Sequence, residues 1–444
     1  MSETYDLIVV GSGIAGLTAA YKAKKRGLKT LVLESASEIG GLIKSKVYKE
    51  GSEETLYELG PNTFLSSAEN LNNLIKELGL ENELLSLGFK DSKRFIYFKD
   101  GLHEVPVNPF KLLFSPILSP LGKLRVLLEP FCKKKNDKEE SVAEFIERKF
   151  GKEVLDRLVS TFLQGVWAAD EKKLSAKSAL SKLVNLEEDY GSILLGLMKS
   201  PRKKKRVLKI HSFKKGMQVL VDSLANSIGF ENIKTEELIK DIKYDGSYEI
   251  ELEDSVIKSK ALILATPAYK ASELSLNLSR DLSEPLSGIN YSPIALSFMK
   301  LERNSLKKDH EGFGLLIANN TLKKPFKTMG TIWSSELFKE RKLTDSYIFA
   351  SYLFGAKGDV EKNFEEIAIE EQKAILGPGA KIEPLNSMLL ERAIPQYNLG
   401  HSDLIQKLNI AKEKFPGLGF VGNYLSGISL EDTISHSIRV SAKI

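Results

Sequence analysis

Gly11, Gly13 and Gly16 stand at G-x-G-x-x-G spacing directly after an apolar run, Tyr5 to Val10, that only Asp6 interrupts. In a strand-to-helix turn this spacing serves a chemical purpose. The first glycine permits the tight turn, the second lets backbone approach a pyrophosphate, and the third lets the helix pack hard on the strand. The helix opens at once with Ile14 and Ala15, and its N-terminal N–H groups then face phosphate oxygens. A second apolar run, Thr30 to Leu33, ends in Glu34 and Ser35, at the distance expected for a carboxylate that accepts from both ribose hydroxyls. The charge of Glu34 disfavours a 2′-phosphate, so NADP is the least suited dinucleotide. Gly40 and Gly41 close this βαβ unit, which by itself names no reaction.

The chain that must position these residues has 444 of them, enough for two or three domains. Its net charge of +5 is modest, and its aromatics are not interleaved with Lys and Arg, which argues against a nucleic-acid partner. With Cys132 as the lone cysteine there is no intrachain disulfide, and a reducing compartment is the simpler expectation. The first strand starts within a few residues of Met1, so no signal peptide is predicted and a cytoplasmic protein is expected. His103, His211, His310, His401 and His436 are scattered, so no metal site is predicted. A G-x-S-x-G nucleophile elbow is absent from the sequence.

Beyond Gly41 the pattern predicts a hairpin with its turn near Gly51, a Gly60-Pro61 turn back toward the dinucleotide, and a helix over Ser67 to Leu78. Phe95 to Phe131 is rich in Phe and Leu, broken by prolines, and too short in its apolar runs to span a membrane. Basic clusters, Lys133 to Lys135 and Arg202 to Arg206, flank the helical region after it. Apolar helices beside basic clusters suit a peripheral membrane surface, with ordinary domain core as the competing reading. Ser141 and Glu144 form a predicted capping box, and Glu153 to Leu163 a second helix with Val154, Leu155, Leu158, Val159 and Phe162 as its buried stripe. Further on, a helix over Gly216 to Ile228 precedes a hairpin turning at Asp245-Gly246 and a parallel-sheet strand at Leu262 to Ala265. Strand-like runs at Ile294–Leu301, Phe313–Ala318, Thr328–Trp333 and Tyr347–Phe354 predict a separate antiparallel sheet for substrate. Gly419 to Gly422 reads as a late strand, and Ser429 with Asp432 caps a final helix.

The expected architecture is therefore α/β. A discontinuous Rossmann-like cofactor domain takes residues 1–90, 207–275 and 405–444, a helical, membrane-associating insert takes 91–206, and an α+β substrate domain with an antiparallel sheet takes 276–404.

The joint pattern of Gly11, Gly13, Gly16, Glu34, the pair Gly40-Gly41 and the late block GNYLSGIS resembles the flavin-containing amine oxidase superfamily. That resemblance implies FAD in place of NAD, and non-covalent FAD, because Cys132 lies far from the late block. Four more blocks, ELGPNTF, KRFIYF, GVWAADEKKLSAKSA and IPQYNLGH, resemble the protoporphyrinogen oxidases within the superfamily. The resemblance implies that Glu34 holds the adenosine ribose and Ile239 packs on adenine, while Gly41, Leu42 and Lys44 lie toward the flavin. Gly60, Pro61, Asn62 and Thr63 would run along the ribityl chain and ring. Gly422 and Ser429 bracket Gly427 and Ile428, whose N–H groups would meet the pyrimidine edge. Lys44 replaces the arginine usual in such proteins, keeping the charge but losing the fork.

For substrate, the resemblance places a propionate partner at Arg94, a ring sandwich at Met329 and Phe349, and a backbone carbonyl facing pyrrole N–H groups within Gly165 to Asp170, at Ala168. Relatives have glycine where this chain has Ala168-Ala169. The implied reaction is oxidation of protoporphyrinogen IX to the porphyrin in haem biosynthesis, with O2 or a quinone as acceptor and the flavin carrying the redox chemistry. Coproporphyrinogen III is the rival substrate. An amine oxidase, a carotenoid desaturase and a non-enzymatic membrane-surface protein are the more distant readings. Homodimers are common among relatives, though no interface motif is legible.

Overall fold

The structure is a computed structural model that describes residues 4–99, 101–106, 115–132, 138–200, 208–307 and 310–444. Its first sheet is organised by the strand Thr4–Val10. Leu7 and Val9 enter one core and Ile8 and Val10 the other, which is why Leu7 to Val10 is continuously apolar instead of alternating. Val10 lies in register with Leu33 on one side and Leu264 on the other, both in parallel pairs. Ile233–Lys234 and Leu418–Phe420 extend the parallel sheet, and the meander Asp241–Tyr244, Tyr248–Glu251 joins the near end of Val256–Leu264. Helices Ile14–Lys25, Gln218–Ile228 and Leu430–Ser441 cover one face, and Ala268–Ser275, Arg280–Ser287 and His401–Lys412 the other.

A second seven-stranded sheet has the order 382–395, 291–302, 346–354, 328–332, 314–317, 94–98, 101–104. Two features depart from the sequence reading. Arg94–Phe98 and Gly101–Glu104, expected within the helical insert, are strands of this sheet. The sheet is also mixed, since Arg94–Phe98 pairs parallel with Gly314–Ile317. Helix Phe364–Leu376 covers one of its faces. A small sheet, Phe64–Leu65, Lys209–Phe213 and Leu84–Gly88, packs beside it.

The helical region is built around Val142–Phe150, capped by the reciprocal Ser141–Glu144 bonds that the sequence predicts. The next helix is interrupted by a π-turn at Leu155–Val159. The extra residue of a π-turn rotates the helix beyond it about its axis, so Leu163 is buried while Phe162, expected inside, is exposed. Lys149 is fully buried and held at 2.7 Å by Glu129 and 3.1 Å by Glu187. Leu121, Leu124, Leu128 and Phe131 are exposed beside this region. The two basic clusters of the membrane reading lie outside the described residues. Among the described residues, no helix is long and apolar enough to cross a membrane.

Candidate cofactor and substrate site

A cavity of about 1530 Å³ runs between the two sheets. Gly11, Gly13, Ile14 and Ala15 line one wall, and the glycines are required by space as well as by conformation. Gly11 has φ +102°, and a Cβ there would sit 2.9 Å from the Ala265 carbonyl oxygen. Gly16 does not line the cavity. A Cβ on it would fall 1.9 Å from the Gly11 carbonyl oxygen, so its role is to let helix meet strand. Gly13 caps the helix without a side-chain acceptor, which leaves first-turn N–H groups for a ligand.

Glu34 and Ser35 line the same cavity. The Glu34 carboxylate is oriented by donors: the Ser12 N–H at 2.8 Å and hydroxyl at 2.7 Å on one oxygen, the Ala36 N–H at 2.9 Å on the other. Ile239, Gly41, Leu42, Pro61, Thr63, Gly422, Ile428 and Ser429 complete the positions that the sequence brought forward. Ser429 caps the late helix through the Asp432 N–H at 3.1 Å, so that this helix too begins at the cavity.

With Gly16, four more expected positions stand elsewhere. Lys44 is drawn to Glu38 at 2.6 Å and does not line the cavity. Gly60 is a packing glycine, since a Cβ would sit 2.0 Å from the Leu42 carbonyl oxygen. Asn62 braces its loop by donating to the Gly60 carbonyl at 3.2 Å and the Tyr352 hydroxyl at 3.0 Å. Burial pushes that Tyr352 hydroxyl up to about 12. Gly427 donates its N–H to the Tyr397 hydroxyl at 2.7 Å, and a Cβ on it would meet Asp432 Oδ2 at 2.3 Å. The N–H expected at the flavin edge is thus already spent. Tyr397 in turn donates to the Asn423 carbonyl at 2.7 Å and stacks on His401 at 4.0 Å. Burial pushes the Tyr397 phenol above and the His401 imidazole below their ordinary ranges.

The substrate positions disperse. Arg94 lines neither cavity: its guanidinium lies 3.9 Å over the Phe89 ring and 5.5 Å from that of Phe313, and donates to the carbonyls of Phe89 and Ser92. Gly165 admits the Leu316 side chain, which a Cβ would meet at 2.2 Å. Ala168 ends its helix in the left-handed conformation, φ +47°, and its carbonyl accepts from the Ala356 N–H at 2.8 Å. Ala168 and Met329 border a second cavity of about 340 Å³. Met329 and Phe349 cannot sandwich one ring, because they lie on opposite faces of the sheet. Thr328 pairs with Leu353 and Gly330 with Tyr352, so Met329 is the extra residue of a bulge and turns toward Ala168, while Phe349 packs beneath helix Phe364–Leu376.

Sequence reasoning missed Lys182, Thr266, Tyr269, Tyr291, Arg392 and Tyr424, all of which line the large cavity. Tyr424 lies inside the GNYLSGIS block and Arg392 two residues before IPQY, so both stood beside legible signals. Among the described residues no group of His, Cys, Asp and Glu could hold a metal ion.

The glycine cradle, the oriented ribose carboxylate and the late helix N-terminus fit FAD, and the buried Thr266 Oγ1 and Tyr424 Oη, without partners among the described residues, leave polar groups for a ligand to meet. Fold and site define a flavin-dependent oxidoreductase. The chain belongs to the flavin containing amine oxidoreductase family, whose model matches residues 14–444. It is 29% identical to protoporphyrinogen oxidase 2 of Arabidopsis thaliana, with 98% of this chain and 92% of that protein covered. It is 30% identical to the chloroplastic protoporphyrinogen oxidase of Oryza sativa subsp. japonica (99% and 88%) and 24% identical to coproporphyrinogen III oxidase of Bacillus subtilis (96% and 95%). A solved structure from Exiguobacterium sp. 255-15, provisionally named a protoporphyrinogen oxidase, superposes with a TM-score of 0.81 at 19% identity, covering 100% of this chain and 98% of that one. A reduced UDP-galactopyranose mutase superposes at 0.76 with 14% identity, covering 98% and 94%, so the fold alone selects no substrate.

Proposed function

We propose that this chain oxidises protoporphyrinogen IX to protoporphyrin IX. The observation that carries the reading is similarity to proteins of that name over 98–99% of the chain, both sheets and the helical region included. FAD, when bound, supplies the two-electron acceptance, and because a porphyrinogen must lose six electrons the site must be used three times. The chain's own work is to bind, orient and exclude water. Glu34 and the glycine turn anchor the dinucleotide, and the Asn62–Tyr352 bond fixes the loop that continues the cavity wall. Ala168 and Met329 pack against each other at the edge of the second cavity. No lining side chain is needed as an essential base, since the protons lost after hydride transfer can pass to solvent. O2 as acceptor, giving hydrogen peroxide, is the simplest closing step, and a quinone is its alternative.

The Bacillus subtilis relative favours coproporphyrinogen III as the second reading. Both porphyrinogens, prepared anaerobically, are supplied to the flavin-loaded protein, and porphyrin fluorescence and peroxide are followed. Faster turnover of protoporphyrinogen is expected; faster turnover of coproporphyrinogen replaces the assignment, and turnover of neither removes it. A cytoplasmic protein resting on the membrane through Leu121, Leu124, Leu128 and Phe131 accords with an apolar substrate. Co-sedimentation with anionic vesicles, weakened by salt, tests that contact.

A further inference from the structure

Most charged side chains around the large cavity already have partners. Lys270 pairs with Glu273 at 2.7 Å, Glu431 accepts the N–H groups of Asn70 and Leu71 at 3.0 and 2.9 Å, and Asp432 is bound to Ser429. Lys182, Glu237, Glu391 and Arg392 line the cavity without an ion pair among the described residues, and Arg392 is the one of the two cations that an aromatic ring holds in place. Its guanidinium is instead held 4.5 Å over the Tyr269 ring. Tyr269 stands edge-on to Tyr291 at 5.4 Å, and the Tyr291 hydroxyl accepts the Ala268 N–H at 2.9 Å. This series of contacts fixes Arg392 relative to the start of helix Ala268–Ser275.

That helix start lies against the glycine turn, since a Cβ on Gly11 would fall 2.9 Å from the Ala265 carbonyl oxygen and 3.5 Å from the Thr266 nitrogen. Thr266 and Tyr424 line the same cavity, and their hydroxyl oxygens are buried with no partner among the described residues. Tyr424 is fully buried. A cation lacking a counter-ion and two unpartnered hydroxyls share a cavity with the turn built for a diphosphate, and together they suit an anionic oxygen group. We propose that Arg392, carried by strand Ile382–Pro395 of the second sheet and preset by Tyr269, is a charge partner of the diphosphate of bound FAD. The second sheet would then hold the cofactor as well as the substrate. The inference rests on the FAD site and not on which porphyrinogen is oxidised.

The test uses the full-length flavin-loaded protein. FAD release on dilution is followed by the gain in flavin fluorescence, in wild type, Arg392→Ala and Arg392→Lys. Arg392→Ala is expected to weaken FAD binding roughly 5- to 20-fold and to flatten its salt dependence, with Arg392→Lys between the two. Because Arg392 is exposed, its removal should leave the fold intact, which circular dichroism checks. FAD affinity and salt dependence unchanged in Arg392→Ala would overturn the proposal. A raised KM for a carboxylate-bearing porphyrinogen with FAD affinity unchanged would also overturn it and give the residue to the substrate.

Discussion

The two walls of the large cavity are built in opposite ways. The wall from Thr4 to Gly41 is local: strand, glycine turn, helix and second strand succeed one another, and Glu34 is oriented by Ser12 and Ala36, its neighbours in the same unit. The facing wall is assembled from strands distant in the chain, and which side chain it presents depends on register, as the irregularity between the Ser292–Ile394 and Ile294–Leu390 pairs shows. A local wall concentrates function in few residues that tolerate no change. A non-local wall spreads its contribution, and many of its residues serve packing alone.

Gly16→Ala gives the largest expected effect. Its Cβ would occupy the space of the Gly11 carbonyl, 1.9 Å away, so helix and strand must separate and the phosphate cradle open. The purified variant should be colourless and destabilised by about 4 kcal/mol or more, measured by flavin absorbance and denaturant unfolding. A yellow variant of wild-type stability would show that the local wall is more forgiving than its geometry implies.

The contrast also explains what was legible in the sequence. The βαβ unit, the Gly51 hairpin and the caps at Ser141 and Ser429 are fixed by neighbours in sequence, and their residues announce them. Nothing near Arg94 announces that its strand pairs in parallel with Gly314–Ile317, because the partner lies far along the chain. The π-turn at Leu155–Val159 and the bulge at Met329 each insert one residue into a regular period, and a period read from sequence assumes there is none. Arg392 escapes sequence reasoning because an exposed arginine on an edge strand looks like any other surface charge.

Glu34→Gln keeps the volume but turns an amide N–H₂ toward one of two N–H donors, Ser12 or Ala36, that now meet carboxylate oxygens. FAD affinity should fall by roughly 1.5–3 kcal/mol, read by FAD titration of the flavin-depleted chain. A loss below that range would mean that the ribose is held mainly by other groups.

Tyr397→Phe probes where the two walls meet the helical region. It deprives the Gly427 N–H and the Asn423 carbonyl of their shared partner at 2.7 Å each, at a cost of about 1–3 kcal/mol in stability. If Gly427 then turns its freed N–H to the flavin, the absorbance of the bound cofactor should shift. An unaltered spectrum with lowered stability would keep Gly427 as a purely structural glycine.

The smallest effect is expected from Arg94→Ala, in the sheet that carries the facing wall but away from both cavities. Arg94 was expected to meet a substrate carboxylate, yet its guanidinium is half-buried between Phe89 and Phe313, and burial holds its pKa below the ordinary arginine value. Removing it should cost about 1 kcal/mol through lost stacking and two long hydrogen bonds to backbone. KM for either porphyrinogen and FAD content should stay unchanged. A rise in KM without loss of stability would mean that Arg94 leaves its stack when substrate binds, and that the non-local wall carries recognition that this arrangement conceals.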